Sequence, residues 1–217
     1  MTPDESKTFR PATATPSMHR HQQQQQQPPR PQATPAHLEE RRKRPVVAVD
    51  IDEVLGQFVP RLVAFHNSEF GGRLETEHMT SYLFHESWGG TREQADDVMK
   101  RFFRSPFFTE GIPIIDGAVE ILRRHAERIE FHVVTSRQHS IREHTLAWIG
   151  RHYDGLFRDC HFGNHFSNTG VVRSKPDLCH AIGAVMIIDD NMRYATQCAA
   201  AGIRTCLFGE RWGGAAE

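Results

Sequence analysis

An α/β protein is the fold class this sequence predicts: a Rossmann-like, three-layer arrangement with a parallel sheet between helices. A small helical cap is expected as an insertion after the first strand. Three observations predict it. Short apolar runs recur at 46–49, 131–134, 185–188 and 203–208. Stretches of about ten residues with helical periodicity separate the later runs, the pattern of a parallel sheet with right-handed crossovers. Acids or hydroxyl residues stand at the C-terminal ends of three of these runs: Asp50 and Asp52, then Thr135 and Ser136, then Asp189 and Asp190.

The chain has 217 residues, 24% charged and 38% hydrophobic, which suits one domain with an insertion plus a polar tail. A net charge of −1 gives no bulk attraction to nucleic acid or to an anionic membrane, and neither is expected as a partner. The apolar runs are of strand length, well short of the roughly 20 residues of a membrane helix. Cys160, Cys179, Cys198 and Cys206 show no C-x-x-C spacing and read as reduced thiols.

Residues 1–44 are rich in Pro, Gln and Thr, with glutamine throughout 22–27, and are expected to be disordered. Their start lacks an apolar h-region, so no signal peptide is expected. The run Arg41-Arg42-Lys43-Arg44 reads as a solvated linker. Its alternatives are a nucleic-acid contact and a nuclear address, the latter making the nucleus the alternative to the expected cytoplasm.

The elements follow in order. Val46-Val47-Ala48-Val49 is a buried strand. Phe58, Leu62, Phe65 and Phe70 take helical spacing, with Pro60 in the first turn and Gly71-Gly72 at the close. Tyr82 to Gly90 is an aromatic stretch closed by two glycines. Thr91-x-x-Gln94 is a capping box opening a helix with Ala95, Val98, Met99 and Phe102 on one face, stopped by Ser105-Pro106. These residues, 54–115, form the expected cap.

The core, 45–53 and 116–208, then resumes. Asp116-Gly117 opens a helix through Val119, Ile121 and Leu122. The strand at 131–134 leads into Thr135-Ser136-Arg137. Ser140-x-x-Glu143 reads as a second capping box, for a helix carrying Leu146, Trp148 and Ile149. Cys160-His161-Phe162 suits a short strand. Pro176, directly after Lys175, marks a first turn. The strand at 185–188 ends in Asp189-Asp190-Asn191, an alanine-rich helix stops at Gly202, and 203–208 is the last strand. Residues 209–217 are a tail.

Parallel strands place the acidic ends on one edge of the sheet, where open α/β folds hold ligands. Four carboxylates there repel one another unless a cation joins them, and hard oxygen donors suit Mg²⁺. Thr135 and Lys175 suit a phosphoryl group. A carboxylate nucleophile beside a metal and phosphate donors is the logic of an aspartyl-phosphate intermediate. Ser136 and Arg137 are candidate substrate contacts, set against a turn hydrogen bond and a solvated charge. His161 and His165 flank a loop without cysteine at ligand spacing, so no zinc is expected there. Trp148 is expected in the core.

The sequence resembles the haloacid-dehalogenase-like superfamily of phosphohydrolases. The likeness rests on Asp50-Ile51-Asp52-Glu53-Val54-Leu55, Thr135 after Val133-Val134, Lys175, and Ile187-Ile188-Asp189-Asp190. Within it, the chain looks most like the 5′(3′)-deoxyribonucleotidases. That narrower likeness rests on Trp88-Gly89-Gly90-Thr91, Phe102-Phe103-Arg104-Ser105-Pro106-Phe107-Phe108, Ile114-Ile115-Asp116-Gly117-Ala118 and Leu207-Phe208-Gly209. One departure is Glu53, where many deoxyribonucleotidases have glycine; it bears on the substrate more than on the phosphatase chemistry.

The resemblance implies a Mg²⁺-dependent phosphomonoester hydrolase. Asp50 is implied as nucleophile and Asp52 as acid and base. Thr135 and Lys175 are implied at the phosphate, and Asp50, Asp52, Asp189 and Asp190 around the metal. The expected partner is a small phosphomonoester, with a deoxynucleoside monophosphate as the leading case and a homodimer as the oligomer allowed for. Phe84 and Trp88 are the expected base contacts and His85 a polar one, against the alternative that both aromatics are cap core. Two other classes stand beside this one: another chemistry or metabolite on the same fold, and an interaction protein acting through its glutamine-rich tail. Asp52 argues against halide displacement, which needs the nucleophile but not the second acid.

Overall fold

Strand β1 (Val46–Val49) is the middle of the sheet and the centre of the core. In the computed structural model, which describes residues 44–79, 81–167 and 169–209, it pairs in parallel with β2 (Glu130–Thr135) on one side and β4 (Ala184–Asp189) on the other. Strands β3 (Phe157–Phe162) and β5 (Arg204–Leu207) are the edges, so the order is β3-β2-β1-β4-β5, all parallel. Alternation along β1 divides the core. Val47 and Val49 face a cluster with Leu62, Phe131, Val133 and Trp148, while Ala48 faces Val134, Leu178, Ile187 and Cys198. Helices lie on both faces, which gives the three layers expected.

Among the described residues, five α-helices come between β1 and β2: α1 (Phe58–Phe70), α2 (Phe84–Trp88), α3 (Arg92–Arg104), α4 (Pro106–Thr109) and α5 (Ala118–His125). Helix α1 stops at Gly71, whose φ of 65° is the left-handed cap conformation glycine adopts without strain. The Thr91–Gln94 capping box forms with both reciprocal bonds. Gly56 sits where the chain passes close to other groups: a Cβ there would lie 2.6 Å from Ile112 Cδ1.

Helix α6 (Arg142–His152) corrects one expectation. A 3₁₀ turn over His139–Ile141 precedes it, so Ile141 is the N-cap and no side chain caps the helix. Ser140 lies inside that turn and donates to Gln138 Oε1 at 3.2 Å. Leu146 is also exposed rather than core-facing. Trp148 is buried as expected, and its Nε1 donates to Ile112 O at 2.8 Å. Tyr153 donates to Leu55 O at 2.7 Å, so α6 is fastened to the segments leaving β1 and entering α5. Helix α7 (Lys175–Ala181) and helix α8 (Met192–Ala200) complete the second layer.

The expected tails lie almost wholly outside the described residues. Arg44 is inside them and donates to Ala126 O at 2.8 Å. No helix among the described residues is long and apolar enough to cross a membrane.

Candidate functional site

Three adjacent strand ends make the site. Asp50 follows β1, Asp189 ends β4, and Thr135 ends β2. Register holds them level: Asp50 N donates to Ile188 O at 2.9 Å, across the β1–β4 pairing. Lys175 comes from the second layer as the first residue of α7. Ser174 caps that helix by accepting from Asp177 N, which fixes where the lysine starts.

Lys175 is 0% exposed, and its Nζ lies 2.8 Å from Asp50 Oδ2 and 2.5 Å from Asp189 Oδ2. The ammonium lies over the Tyr194 ring, 4.6 Å from its centroid. Burial alone would lower its pKa, but the carboxylates of Asp50 and Asp189 outweigh that and hold it above its ordinary value. A charge-assisted triad of this kind joins β1, β4 and α7 at one point.

Burial pushes Asp50 up to about 7, opposed by Lys175 and assisted by Asp189 and Asp52. Asp190 is pushed up to about 9, first by burial and then by the charges of Asp50, Asp52 and Glu53. Oxygens of Asp50, Asp189 and Asp190 lie within 4.8 Å of one another. Asp50 Oδ1 and Asp190 Oδ1 are buried and have no hydrogen-bond partner among the described residues. Asp189 differs: its Oδ1 accepts from Asn191 N at 3.0 Å and its Oδ2 from Lys175. The open oxygens are thus those of Asp50 and Asp190, and a divalent cation fits the donor set.

Asp52 stands beside this group, held by Arg137. Nη2 donates to Oδ1 at 2.6 Å, and Nε reaches both oxygens at 3.1 and 3.2 Å. Arg137 is buried, donates to Thr145 Oγ1 at 3.1 Å, and lies over the rings of Phe58 and Phe108. Anchored this way, the guanidinium orients Asp52 rather than standing as a solvated charge.

A cavity of about 600 Å³ opens onto these residues. Of the residues expected at the site, Asp50, Asp52, Ser136, Arg137, Asp190, Phe84 and His85 form its wall. Thr135, Lys175 and Asp189 are sealed immediately behind it. Thr135 Oγ1 accepts from Arg137 N at 3.2 Å. Trp88 is not in the wall. It stacks between His66, at 4.8 Å, and Phe84, at 5.4 Å. His161 bonds to His132, and His165, also in the cavity wall, to Tyr194.

Sequence reasoning missed Tyr82 and Tyr194 as site residues. Tyr82 donates to Asp190 Oδ2, and Tyr194 meets His165 Nδ1 at 2.7 Å. Their only signal was place: one opens the aromatic cap stretch, the other lies in the first turn after Asp190. Glu53, the departure in the first motif, has a structural reason. It has a φ of 58°, and its Oε1 accepts from Val59 N at 2.7 Å, satisfying the start of α1.

The family described as 5′ nucleotidase, deoxy (pyrimidine), cytosolic type C protein matches residues 44–209. Among solved structures, a haloacid dehalogenase-like hydrolase from Streptococcus pneumoniae superposes with a TM-score of 0.59 at 10% identity. The match covers 79% of this chain and 88% of that one. A HAD-hydrolase from Bacillus subtilis, bound to magnesium, gives 0.54 at 15% identity over 76% and 87%. A HAD family hydrolase from Deinococcus radiodurans, with bound phosphate and sodium, gives 0.51 at 18% over 79% and 82%. These likenesses are of fold. No curated protein matches the sequence.

Proposed function

Because this chain belongs to the 5′ nucleotidase, deoxy (pyrimidine), cytosolic type C family, we propose that it hydrolyses nucleoside monophosphates through an aspartyl phosphate on Asp50. Membership makes it a phosphoric monoester hydrolase with a small phosphorylated substrate. Residues 45–53 and 116–208 act as catalytic core and 54–115 as cap. The family's description as cytosolic supports a cytoplasmic setting.

The observation that carries the reading is Asp50 itself. One oxygen is held by Lys175 and the other is open at the cavity wall. The open oxygen attacks phosphorus in line with the ester bond, and Lys175 keeps the carboxylate ionised and oriented. Asp52, fixed by Arg137, gives its proton to the leaving oxygen and then takes one from the water that opens the acyl phosphate. Ser136 donates to phosphate oxygens, and Thr135 holds the turn that presents it. A divalent cation, for which Mg²⁺ is the best fit, would be held by Asp50 and Asp190 with Asp189 behind them, and would neutralise phosphate charge when bound. Phe84 offers its ring to the base, with Trp88 stacked on it.

The test is Asp50→Asn, nearly isosteric and lacking the attacking charge. We expect phosphate release from a deoxynucleoside monophosphate to fall by several orders of magnitude with the melting temperature retained. Turnover near that of the parent would refute the mechanism.

A further inference from the structure

Another part of the cavity wall is one face of α3. Arg92, Asp96, Met99, Lys100, Phe103 and Arg104 line it, at helical spacings of three and four. Lys100 and Arg104 form no hydrogen bond or ion pair among the described residues, and Arg92 acts only on its exposed neighbour Glu93. The contrast is on the same helix: Arg101, off this face, pairs with Glu69 and lies over the Phe70 ring. Three cations of α3 thus meet the cavity beside one acid of the same face, Asp96, and across it from Asp50, Asp52 and Asp190 at the strand ends.

A nucleoside monophosphate brings its only anion to Asp50, where Lys175 and the carboxylate cluster treat it. The rest of such a substrate is neutral and gives the α3 cations nothing to neutralise. We propose that this face of α3 receives a second phosphate, and that the preferred substrates are bisphosphates, with nucleoside bisphosphates first because of Phe84 and Phe103 in the same wall. The proposal rests on the phosphatase reading of the Asp50 site. Two guanidinium forks and one ammonium suit a dianion better than a single carboxylate. In the reaction, the phosphorus–oxygen bond of the ester at Asp50 breaks and the leaving oxygen gains a proton. Water supplies the hydroxyl of the inorganic phosphate, and the second ester is retained.

Phosphate release by the full chain with Mg²⁺ tests this on four substrates: a deoxynucleoside 5′-monophosphate, its 3′,5′-bisphosphate, a hexose monophosphate and its bisphosphate. The second phosphate should raise kcat/KM on the order of ten-fold. Lys100→Met with Arg104→Met should bring that ratio down towards one, while Lys100→Arg with Arg104→Lys should keep most of it. Both sites are exposed on the helix, and a thermal melt checks that the variants fold. A gain confined to the nucleoside pair identifies the carrier as a nucleotide. A gain confined to the hexose pair keeps the second-phosphate site and overturns the nucleoside preference. A parent ratio near one with normal monophosphate turnover overturns this inference alone, as does a ratio the Met pair leaves intact. No release from any of the four overturns the phosphatase reading as well.

Discussion

Lys175 shows what a single side chain holds together. Removing its charge as Lys175→Met leaves Asp50 and Asp189 facing each other without a cation, both buried. Breaking a buried pair from one side costs about 3–5 kcal/mol. Urea unfolding in chelator should show that loss together with loss of turnover, and show it larger at pH 8 than at pH 5, where Asp50 protonates. A related expectation follows for the parent. Asp50 and Asp190 have folded pKa values raised to about 7 and about 9, above the ordinary carboxylate value. Their neutral forms are therefore favoured by folding. This stability is complete below about pH 4 and is lost as pH rises through 7 and 9. The chelated protein should melt lower as pH rises from 5 to 9, and added Mg²⁺ should raise the melting temperature more at pH 8 than at pH 5.5. Equal Mg²⁺ shifts at both values would count against these carboxylates as the ligands. At this scale the sequence announced Asp50, Asp189 and Asp190 by their place after apolar runs. It did not announce that Arg137 turns onto Asp52, because that contact spans 85 positions and depends on how Phe58 and Phe108 pack around the guanidinium.

Among the elements, two capping boxes looked alike as strings and differ in the fold. Thr91 accepts from Gln94 N and its own N donates back to Gln94 Oε1, whereas Ser140 is drawn into a 3₁₀ turn and caps nothing. Thr91→Ala should cost about 1 kcal/mol, and Ser140→Ala less than about 0.5 kcal/mol. Chemical denaturation of the two variants side by side measures the difference. The reason for the divergence is tertiary. Asn164 Oδ1 accepts from His139 N, and Gln138 Nε2 donates to Phe166 O, so the loop before α6 is shaped by its neighbour rather than by its own hydroxyl. Strand β3 also runs from Phe157, three residues earlier than its apolar signal at Cys160. Arg158 and Asp159 hid that start, because an edge strand tolerates charge where a central one does not.

Across the whole molecule, sheet order was the part the string could not supply. Alternation of strands and helices implied parallel pairing, but not that β1 lies between β2 and β4. That order makes the three polar strand ends neighbours and puts Asp50 and Asp189 where the winding of the sheet reverses. Every residue assigned a role lies within 44–209, the span of the family match. Deletion of residues 1–43 should therefore leave kcat and KM of the core unchanged, and steady-state kinetics on the shortened chain would detect a departure. The Lys175 bridge has a consequence for the life of the protein. Its ammonium already balances Asp50 and Asp189, so the strand ends are joined before any dissociable ion arrives. Scarcity of the proposed cation would leave a folded, idle molecule rather than a chain exposed to proteases. Activity could then return at the speed of ion diffusion, without new synthesis.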